Sequence, residues 1–418
     1  MENRIPLLFR GSGLCFVVLF ALVCFYAPVA LAAKNASFED GDLFLPDGAS
    51  ITLEDFVKQA RDADYILIGE THDAVHHHQM QAKLLESLAR AGMKPGVGFE
   101  MLYVRDQHML ESFNARKTTV KDFEETANWK RSWSYPFAIY APIFQVAEEF
   151  NLPVFGLNIS KDTLDKVKAD GFAATRALPE KDIPDLPKDV IWPLPEQITY
   201  LSNIRINAIL PEETDAKKGD AAQKKPEQPK DDSGMGPMKQ GDPKRGQLVQ
   251  SLWDTTMAQS AINAHAKTGQ PIVIMAGSGH VRNGHGIAHR INTLTPGKKI
   301  LLVVGLPYPL GKDDRRATSA DVFFASRPSI LQLGAVFKAE ADAIVVDEIT
   351  KGARGDIAGM QVGDKVVSLE DNPLKGPGSL HSAIAIADLQ DRRKGLTEKR
   401  EKTLVVERAG KQVTLTLR

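Results

Sequence analysis

The sequence predicts an α/β protein with a mostly parallel sheet flanked by helices, followed by a smaller β-rich domain. Two observations lead to this fold class. Between residues 52 and 325, short continuous apolar runs alternate with helical patterns, which is typical of parallel strands buried on both faces. After about residue 327, short strand patterns follow one another with two helical pieces between them. A chain of 418 residues is long enough for two or three domains.

The charge and the cysteine content narrow the classes of function. The formal net charge is −1, so the chain has no overall positive potential that would attract nucleic acid. We therefore expect no nucleic-acid partner. Cys15 and Cys24, the two cysteines of the chain, lie in the apolar N-terminal segment. The sequence after that segment therefore offers no disulfide and no thiolate ligand for a metal.

Residues 1–32 are predicted to be a signal peptide. Arg4 and Arg10 give a basic start, an apolar run extends from Leu14 to Leu31, and Ala30-Leu31-Ala32 supplies small residues for cleavage. The alternative is an uncleaved membrane anchor, because the run is about long enough to span a bilayer. We therefore expect an exported protein, periplasmic or membrane-associated, in a Gram-negative bacterium.

The first domain is predicted to cover residues 33–326. Its strands are predicted at Asp64–Gly69, Pro95–Met101, Pro153–Asn158, Pro271–Ala276, Lys299–Val304 and Asp321–Ala325. Its helices are predicted at about 52–57, 75–91, 107–114, 142–150, 247–265 and 286–292, the first with a capping box at Thr52. Residues 211–246 are rich in Lys, Asp, Gln, Gly and Pro, and we expect a disordered polar insertion there.

Polar side chains stand at the ends of four predicted strands: Glu70 with His72, then Glu100, Asn158 and His280. The carboxyl ends of parallel strands share one edge of a sheet, so these residues are expected to converge on one crevice. Glu70, His72 and His280 are typical ligands of a divalent metal such as Mn, Co or Zn. Such a metal would activate water, with Glu70 or Glu100 as the catalytic carboxylate. Alternatively, the two glutamates cap neighbouring helices.

His76, His77 and His78 follow one another on the second predicted helix. Successive side chains on a helix point about 100° apart, so all three cannot reach one site. We expect His76 or His77 to face the crevice and the others to be exposed. Further along, Arg282 lies in a glycine-rich run after a strand, where it and the backbone amides are expected to hold a carboxylate or a phosphate.

An aromatic cluster is formed by Trp129, Trp133, Tyr135 and Tyr140. One interpretation is packing in the core. The other is the wall of a pocket for a flat apolar ligand, with a tyrosine phenol as an axial ligand to iron. Spacing alone does not choose between the two.

Several motifs together resemble the ChaN family of haem-binding uptake proteins, which is grouped with the Tiki metalloproteases and the erythromycin esterases. The resemblance covers about Ala49 to Arg327. The residues that carry it are Gly69-Glu70-Thr71-His72 with His76-His77 and Gln79, Gly98-Phe99-Glu100-Met101, Leu252-Trp253-Asp254 with Met257-Ala258, and Ala276-Gly277-Ser278-Gly279-His280-Val281.

This resemblance implies an α/β fold, export and haem handling linked to iron acquisition. It also implies a tyrosine-ligated haem between paired subunits, with a histidine near the propionates. Tyr135 is the first candidate for the ligand and Tyr140 the second. The further candidate cofactor-binding residues are His76, His77 and Arg282. The Tiki relatives instead imply a metal site made by two Gly-x-x-His motifs and a glutamate, which fits Gly69–His72 and Gly277–His280.

Residues 327–418 resemble a bacterial PDZ domain. The motif that carries this resemblance is Asp347-Glu348-Ile349, Gly352-Ala353 and Ala358-Gly359-Met360-Gln361-Val362-Gly363-Asp364-Lys365-Val366. PDZ domains add an extended peptide to a sheet edge and hold its terminal carboxylate in a loop. The residues expected to form this peptide-binding loop are Leu333, Gly334, Ala335 and Val336, although they depart from the usual Gly-Leu-Gly-Phe.

Three functions follow from these patterns. The first is an exported haem-binding protein whose PDZ module docks it to a peptide or to the C-terminus of a protein, with a homodimer possible. The second is a metal-dependent hydrolase that uses Glu and His at the strand ends. The third is an interaction protein whose first domain has lost its chemistry. Whether the protein is an enzyme stays open at this point.

Overall fold

The computed structural model describes residues 38–199, 243–307 and 319–326, and most of 333–417. The predicted signal peptide and residues 211–242 of the predicted polar insertion lie outside the described residues. Within the described ranges, no helix is both long and apolar enough to cross a membrane.

The first sheet has eight strands, in the spatial order β2-β1-β8-β7-β3-β6-β4-β5. The strands are β1 (Leu43–Phe44), β2 (Ser50–Ile51), β3 (Tyr65–Glu70), β4 (Gly96–Tyr103), β5 (Val154–Asn158), β6 (Ile272–Gly277), β7 (Ile300–Pro307) and β8 (Val322–Ser326). From β8 to β5 every neighbouring pair is parallel. The predicted, largely parallel sheet is therefore confirmed. The antiparallel β1 and β2 were not predicted, because two residues are too few to show a period.

The central strands are buried on both faces, which explains why their sequences are apolar throughout. All six residues of β3 and all six of β6 are buried. Alternate residues of β3 enter different cores: Ile66 and Ile68 pack into one apolar cluster, whereas Tyr65 and Leu67 pack into another. Because successive side chains point to opposite faces, both faces of the sheet are apolar, and each face is covered by helices.

Helices cover the two faces. They are α1 (Leu53–Ala60), α2 (Val75–Arg90), α3 (Gln107–Asn114), α4 (Val120–Thr126), α5 (Trp129–Ser132), α6 (Phe137–Glu149), α7 (Lys161–Asp170), α8 (Phe172–Arg176), α9 (Pro243–Thr268), α10 (Ser278–Val281) and α11 (Ile287–Leu294). The predicted capping box of α1 is confirmed, since Thr52 and Asp55 bond each other's backbone.

Two predicted helix boundaries were wrong. Helix α6 begins at Phe137 and includes Pro142, which was predicted to start it. Helix α9 begins at Pro243, so the last residues of the predicted insertion, 243–246, are helical. Proline is favoured in the first turn of a helix because its missing N–H has no partner to lose there.

The second sheet is antiparallel and comprises strands β9 to β14. They are β9 (Ala335–Glu340), β10 (Ala343–Ile349), β11 (Lys365–Leu369), β12 (Asn372–Pro373), β13 (Lys402–Arg408) and β14 (Lys411–Leu417), with a short helix α12 (Arg354–Ile357). The main path runs β14-β13-β11-β10-β9, and β12 pairs with β11. Its own apolar cluster includes Leu333, Ile344, Val346 and Leu404. A β-rich C-terminal region was predicted, and this sheet is compatible with a separate domain.

The order of the central strands determines where polar residues meet. Strand β6 lies between β3 and β4, although β3 and β4 are far closer to each other along the chain. The carboxyl ends of these three strands therefore lie side by side. Glu70 ends β3, Glu100 directly follows the last residue of β4 that pairs with β6, and β6 leads directly into Ser278 and His280.

Candidate functional site

Glu70 is a buried carboxylate at the end of β3 and is surrounded by donors. Its Oε1 lies 2.6 Å from Nδ1 of His72, and its Oε2 lies 2.7 Å from Nδ1 of His78. The hydroxyl of Tyr140 donates to Oε1 over 3.2 Å. Burial opposes ionisation, but the neighbouring His78 and His72 outweigh it and hold the pKa of Glu70 below its usual range. Glu70 is therefore an anion at neutral pH.

His72 connects Glu70 to the second half of the crevice. Burial lowers the pKa of its imidazole, but the carboxylates of Glu70 and Glu100 raise it by more. The ring stands edge-on to Trp133, with 4.8 Å between ring centroids, and 5.5 Å from the ring of Tyr135. On its other side is Gly277, where an added Cβ would lie 2.8 Å from Cε1 of His72. The absence of a side chain at Gly277 therefore makes room for this ring.

Glu100 and His280 form the second half. The pairing of β4 with β6 ends at Phe99, opposite Met275. Beyond this point the side-chain carboxylate of Glu100 accepts the backbone N–H of Gly277 on β6 over 2.6 Å. Its other oxygen lies 3.3 Å from Nε2 of His280. Burial raises the pKa of Glu100, but His280 lowers it by more. Glu100 is consequently a second buried anion.

His280 lies between two carboxylates. Its Nδ1 is 2.5 Å from Oδ1 of Asp254, on the side opposite Glu100. Burial disfavours the charged ring, but Glu100 and Asp254 together raise the pKa of His280 to about 10. An imidazolium donates from both ring nitrogens, which matches an acceptor on each side. Its charge partly offsets those of the two carboxylates.

Asp254 was missed as a site residue, although it lies in a motif that the sequence displays. It is fully buried on α9. Oδ2 of Asp254 accepts from Gln197 over 2.8 Å and from Gln250 over 3.3 Å, and Nη1 of Arg290 lies 3.5 Å away. The available signal was the spacing of Gln250 and Asp254, because residues four apart share a helix face.

The expectation that some of the three consecutive histidines are exposed was wrong, because all three are buried. His78, expected to be exposed, is fully buried, contacts Glu70 and packs on Tyr140 with 4.0 Å between ring centroids. His76 does not face the crevice; its Nε2 lies 3.3 Å from Asp40. His77 is also buried, and its Nδ1 accepts the amide N–H of Thr71 over 3.0 Å. Burial lowers the pKa of His77 to about 3, so the ring is neutral.

The two candidate tyrosines have different surroundings. Tyr140 is fully buried, and its hydroxyl contacts Glu70, the carbonyl of His72 and the indole of Trp133. An incoming ligand cannot reach it without repacking, so Tyr140 is set aside as an axial ligand. Tyr135 is only partly buried and lies beside His72. Burial, with the carboxylates of Asp73, Glu70 and Glu100, raises the pKa of Tyr135 to about 12.

Arg282 does not join Glu100 and His280. Its Nη2 donates to the carbonyl of Gly305 on β7 over 3.3 Å, and β7 lies on the opposite side of β3 from β6. Arg282 is partly buried near His77. The two therefore belong to a separate polar region over β7.

The peptide-binding residues predicted for the second sheet are only partly described. Leu333 is buried in the apolar cluster of that sheet, and its carbonyl accepts the amide of Gly355 over 2.8 Å. Ala335 and Val336 open β9, while Gly334 lies outside the described residues. Among the described strands, β9 pairs with β10 alone, which leaves its other side as a sheet edge.

The crevice combines two acid–histidine groups, Glu70 with His72 and Glu100 with His280. This arrangement can donate and accept protons and can hold a polar group of a ligand. In the described part of the chain, no group of three or more His, Cys, Asp or Glu side chains has an arrangement that could hold a metal ion. The predicted Mn, Co or Zn site is therefore not supported.

The fold and the paired side chains define an α/β protein with a cluster of acid–histidine pairs at the strand ends where such folds place their ligand sites. The chain belongs to a particular family of this class: the family model described as haem-binding uptake, Tiki superfamily, ChaN matches residues 56–291. No curated protein matches the chain.

Solved structures with a similar fold include ChaN of Campylobacter jejuni, described as binding haem cofacially. It is 19% identical, with a TM-score of 0.48, and the match covers 68% of this chain and 96% of that one. The type III effector HopBA1 is 10% identical, with a TM-score of 0.35, over 70% of this chain and 99% of that one. The erythromycin esterase EreC is 9% identical, with a TM-score of 0.34, over 69% and 83%.

Gly277→Ala is expected to displace the His72 ring while the fold persists. The added Cβ would stand 2.8 Å from Cε1 of His72, and overpacking of this kind costs about 1–3 kcal/mol. The ring resonances of His72 in ¹H–¹⁵N NMR spectra should shift, and the free energy of unfolding should fall. Gly279→Ala is the matched control, because an added Cβ there has no atom within 4 Å. Equal shifts in both variants would contradict the contact.

His77→Asn is expected to make the protein less sensitive to acid. The pKa of His77 is lowered to about 3 in the folded chain, so below about pH 6.5 the unfolded chain binds a proton that the folded chain cannot. Stability from this group is thus complete above pH 6.5 and falls as the pH drops towards 3, by about 2 kcal/mol at roughly pH 5. Asparagine keeps an acceptor for Thr71 and removes this dependence.

The measurement is the free energy of unfolding in urea between roughly pH 7 and pH 4. The slope should become shallower in His77→Asn and should stay unchanged in His108→Asn, which replaces an exposed histidine. An unaltered slope in His77→Asn would show that His77 binds its proton in the folded protein as readily as in the unfolded one.

Proposed function

We propose that the protein is an exported haem-binding protein of the haem-uptake type, with Tyr135 as the residue that ligates the iron. The observation that carries the proposal is the position of Tyr135. Its partly buried ring lies at the crevice beside His72, in a chain that belongs to the haem-binding uptake family. Tyr140, the other candidate, is enclosed.

The residues around Tyr135 suit a haem. Trp133 and Tyr135 are both partly buried, with their ring centroids 5.8 Å apart, and present aromatic surface to a flat apolar ligand. Bound haem would supply a ferric ion, which prefers a phenolate oxygen in sites of this kind. With its pKa raised to about 12, the phenol of Tyr135 keeps its proton until the iron replaces it.

The histidine that would contact the haem propionates is His72. Its side chain is 30% exposed, whereas that of His280 is 9% exposed, so His72 is the one that solvent and ligands reach. Its pKa is raised by Glu70 and Glu100 against the effect of burial, which favours a positively charged ring. A cationic N–H at the crevice suits a propionate carboxylate.

Export and pairing of subunits complete this proposal. The predicted signal peptide at residues 1–32 supports export to the periplasm or the membrane surface, as family membership does. A homodimer is proposed because a single crevice offers one aromatic wall, and a second subunit would cover the other face of a haem. Metal-dependent hydrolysis is not proposed, because no metal-binding group is found among the described residues.

We further propose that residues 327–418 form a PDZ domain that docks the protein to an extended peptide or a protein C-terminus. Among the described strands, β9 pairs with β10 alone, and Leu333 precedes it. Helical residues at 380 and 383 contribute Leu380 and Ala383 to the apolar cluster of the same sheet. A strand that pairs on one side suits β-strand addition by a peptide on the other.

Hemin titration tests the haem proposal. Wild-type protein should give a saturable Soret band, and Tyr135→Phe should weaken binding about tenfold or more, because the ring remains but the oxygen ligand is lost. Tyr103→Phe is the matched control, since Tyr103 is also a partly buried tyrosine near a strand end. No Soret band in wild-type protein, or equal affinity in Tyr135→Phe, would sink the proposal.

Gly355→Ala is expected to weaken peptide docking. Its added Cβ would lie 2.8 Å from the carbonyl oxygen of Leu333 and would push the loop before β9 out of position. Peptides selected from a C-terminal peptide library should bind this variant roughly tenfold more weakly in fluorescence polarisation. Ile357→Ala is the control, because Ile357 is 74% exposed. Amidated peptides that bind as well as free carboxylates would argue against PDZ-type capture.

A further inference from the structure

The proposed haem binding assigns no role to the charged side chain of Arg290. It lies on α11 and is completely buried, with 0% of its surface exposed. Its Nη1 donates to Oε1 of Gln197 over 2.7 Å and to the carbonyl of His285 over 2.5 Å. A buried guanidinium is costly unless its charge and its donors are matched. Its counter-charge is Asp254, 3.5 Å away.

Arg290 reaches Asp254 by two routes. One is the direct ion pair between Nη1 and Oδ2. The other passes through the amide of Gln197, which accepts from Arg290 and donates to the same Oδ2 over 2.8 Å. Both routes engage one oxygen of Asp254, which leaves Oδ1 directed at Nδ1 of His280. The carboxylate is thus fixed in rotation as well as in place.

The charges along this path alternate. Arg290 is positive, Asp254 negative, His280 positive and Glu100 negative, and successive members lie 2.5 to 3.5 Å apart. Alternation lets each charge compensate the next in surroundings of low dielectric. The path begins in the interior at α11 and ends at Glu100, whose carboxylate lies close to His72.

We propose that Arg290 is a positioning residue that holds the His280 ring in place through Asp254 and Gln197. His280 presents Nδ1 to Asp254, and this contact aims Nε2 at Glu100. Loss of Arg290 removes the ion pair and the donor that orients Gln197, which leaves Oδ2 of Asp254 with the longer contact to Gln250, so the ring of His280 is held less firmly. Arg290 itself touches no ligand in the crevice. The effect on the ring is independent of haem, whereas any effect on ligand affinity rests on the proposed function.

The test is the ¹H–¹⁵N NMR spectrum of the histidine rings at one fixed pH. A hydrogen bond of 2.5 Å between His280 and Asp254 gives its Nδ1 proton a far-downfield resonance, assigned by its disappearance in Asp254→Asn. Arg290→Met should shift this resonance upfield or abolish it, and Arg290→Lys should restore it in part. Ile291→Ala is the control, since this neighbour on α11 is equally buried but contacts the apolar core.

An unchanged resonance in Arg290→Met would overturn the proposal, as would equal loss in Ile291→Ala. If Arg290→Met does not fold, Gln197→Ala removes the bridge and leaves the guanidinium, and the same resonance should move. Hemin affinity is the second readout and should fall about tenfold in Arg290→Met. A wild-type protein that binds no hemin but shows the resonance change refutes haem binding and supports the positioning role.

Discussion

Three buried carboxylates, Glu70, Glu100 and Asp254, constrain the rest of the crevice. Each is less than 7% exposed, and an uncompensated charge in such surroundings costs several kcal/mol. The chain therefore has to bring a donor or a cation to each of them. Glu70 receives His72 and His78, Glu100 receives His280 and the Gly277 amide, and Asp254 receives His280 and Arg290. The members of these pairs come from separate parts of the chain, so the pairs also join α2, α9 and α11 to the strand ends.

The strand order explains why the sequence predicted half of this arrangement. Apolar runs identified β3, β4 and β6, and a parallel sheet gathers their carboxyl ends, so Glu70, Glu100 and His280 were predicted to converge. The helices that supply further partners of these carboxylates were harder to predict from the sequence. His78 stands one residue beyond the two histidines expected to face the crevice, and although the predicted start of this helix was correct, the side of the helix that meets Glu70 depends on how α2 packs against the sheet. Asp254 and Arg290 depend on how α9 and α11 dock, which local patterns do not encode.

The aromatic cluster shows the same division between local and tertiary information. Its four members were visible in the sequence, but their roles depend on exposure. Trp129 and Tyr140 are core residues that pack against Phe144 and Glu70 respectively, whereas Trp133 and Tyr135 remain partly open. Core packing is therefore the role of Trp129 and Tyr140, and the proposal of a pocket wall concerns Trp133 and Tyr135. Only the three-dimensional packing of α5 and α6 separates them.

The acid–histidine pairs also decide which groups the strand ends can present to a ligand. Glu70 with His72 and Glu100 with His280 are arranged for proton transfer, and both occupy the strand ends where parallel sheets place ligands. Each of these carboxylates is already paired with a histidine ring, and among the described residues no group of three or more His, Cys, Asp or Glu side chains is arranged to hold a metal. Both ring nitrogens of His280 face carboxylates, whereas Glu70 engages only Nδ1 of His72, whose side chain is 30% exposed. The partly exposed rings of Trp133 and Tyr135 lie beside His72, so an aromatic surface stands next to the more accessible of the two histidines.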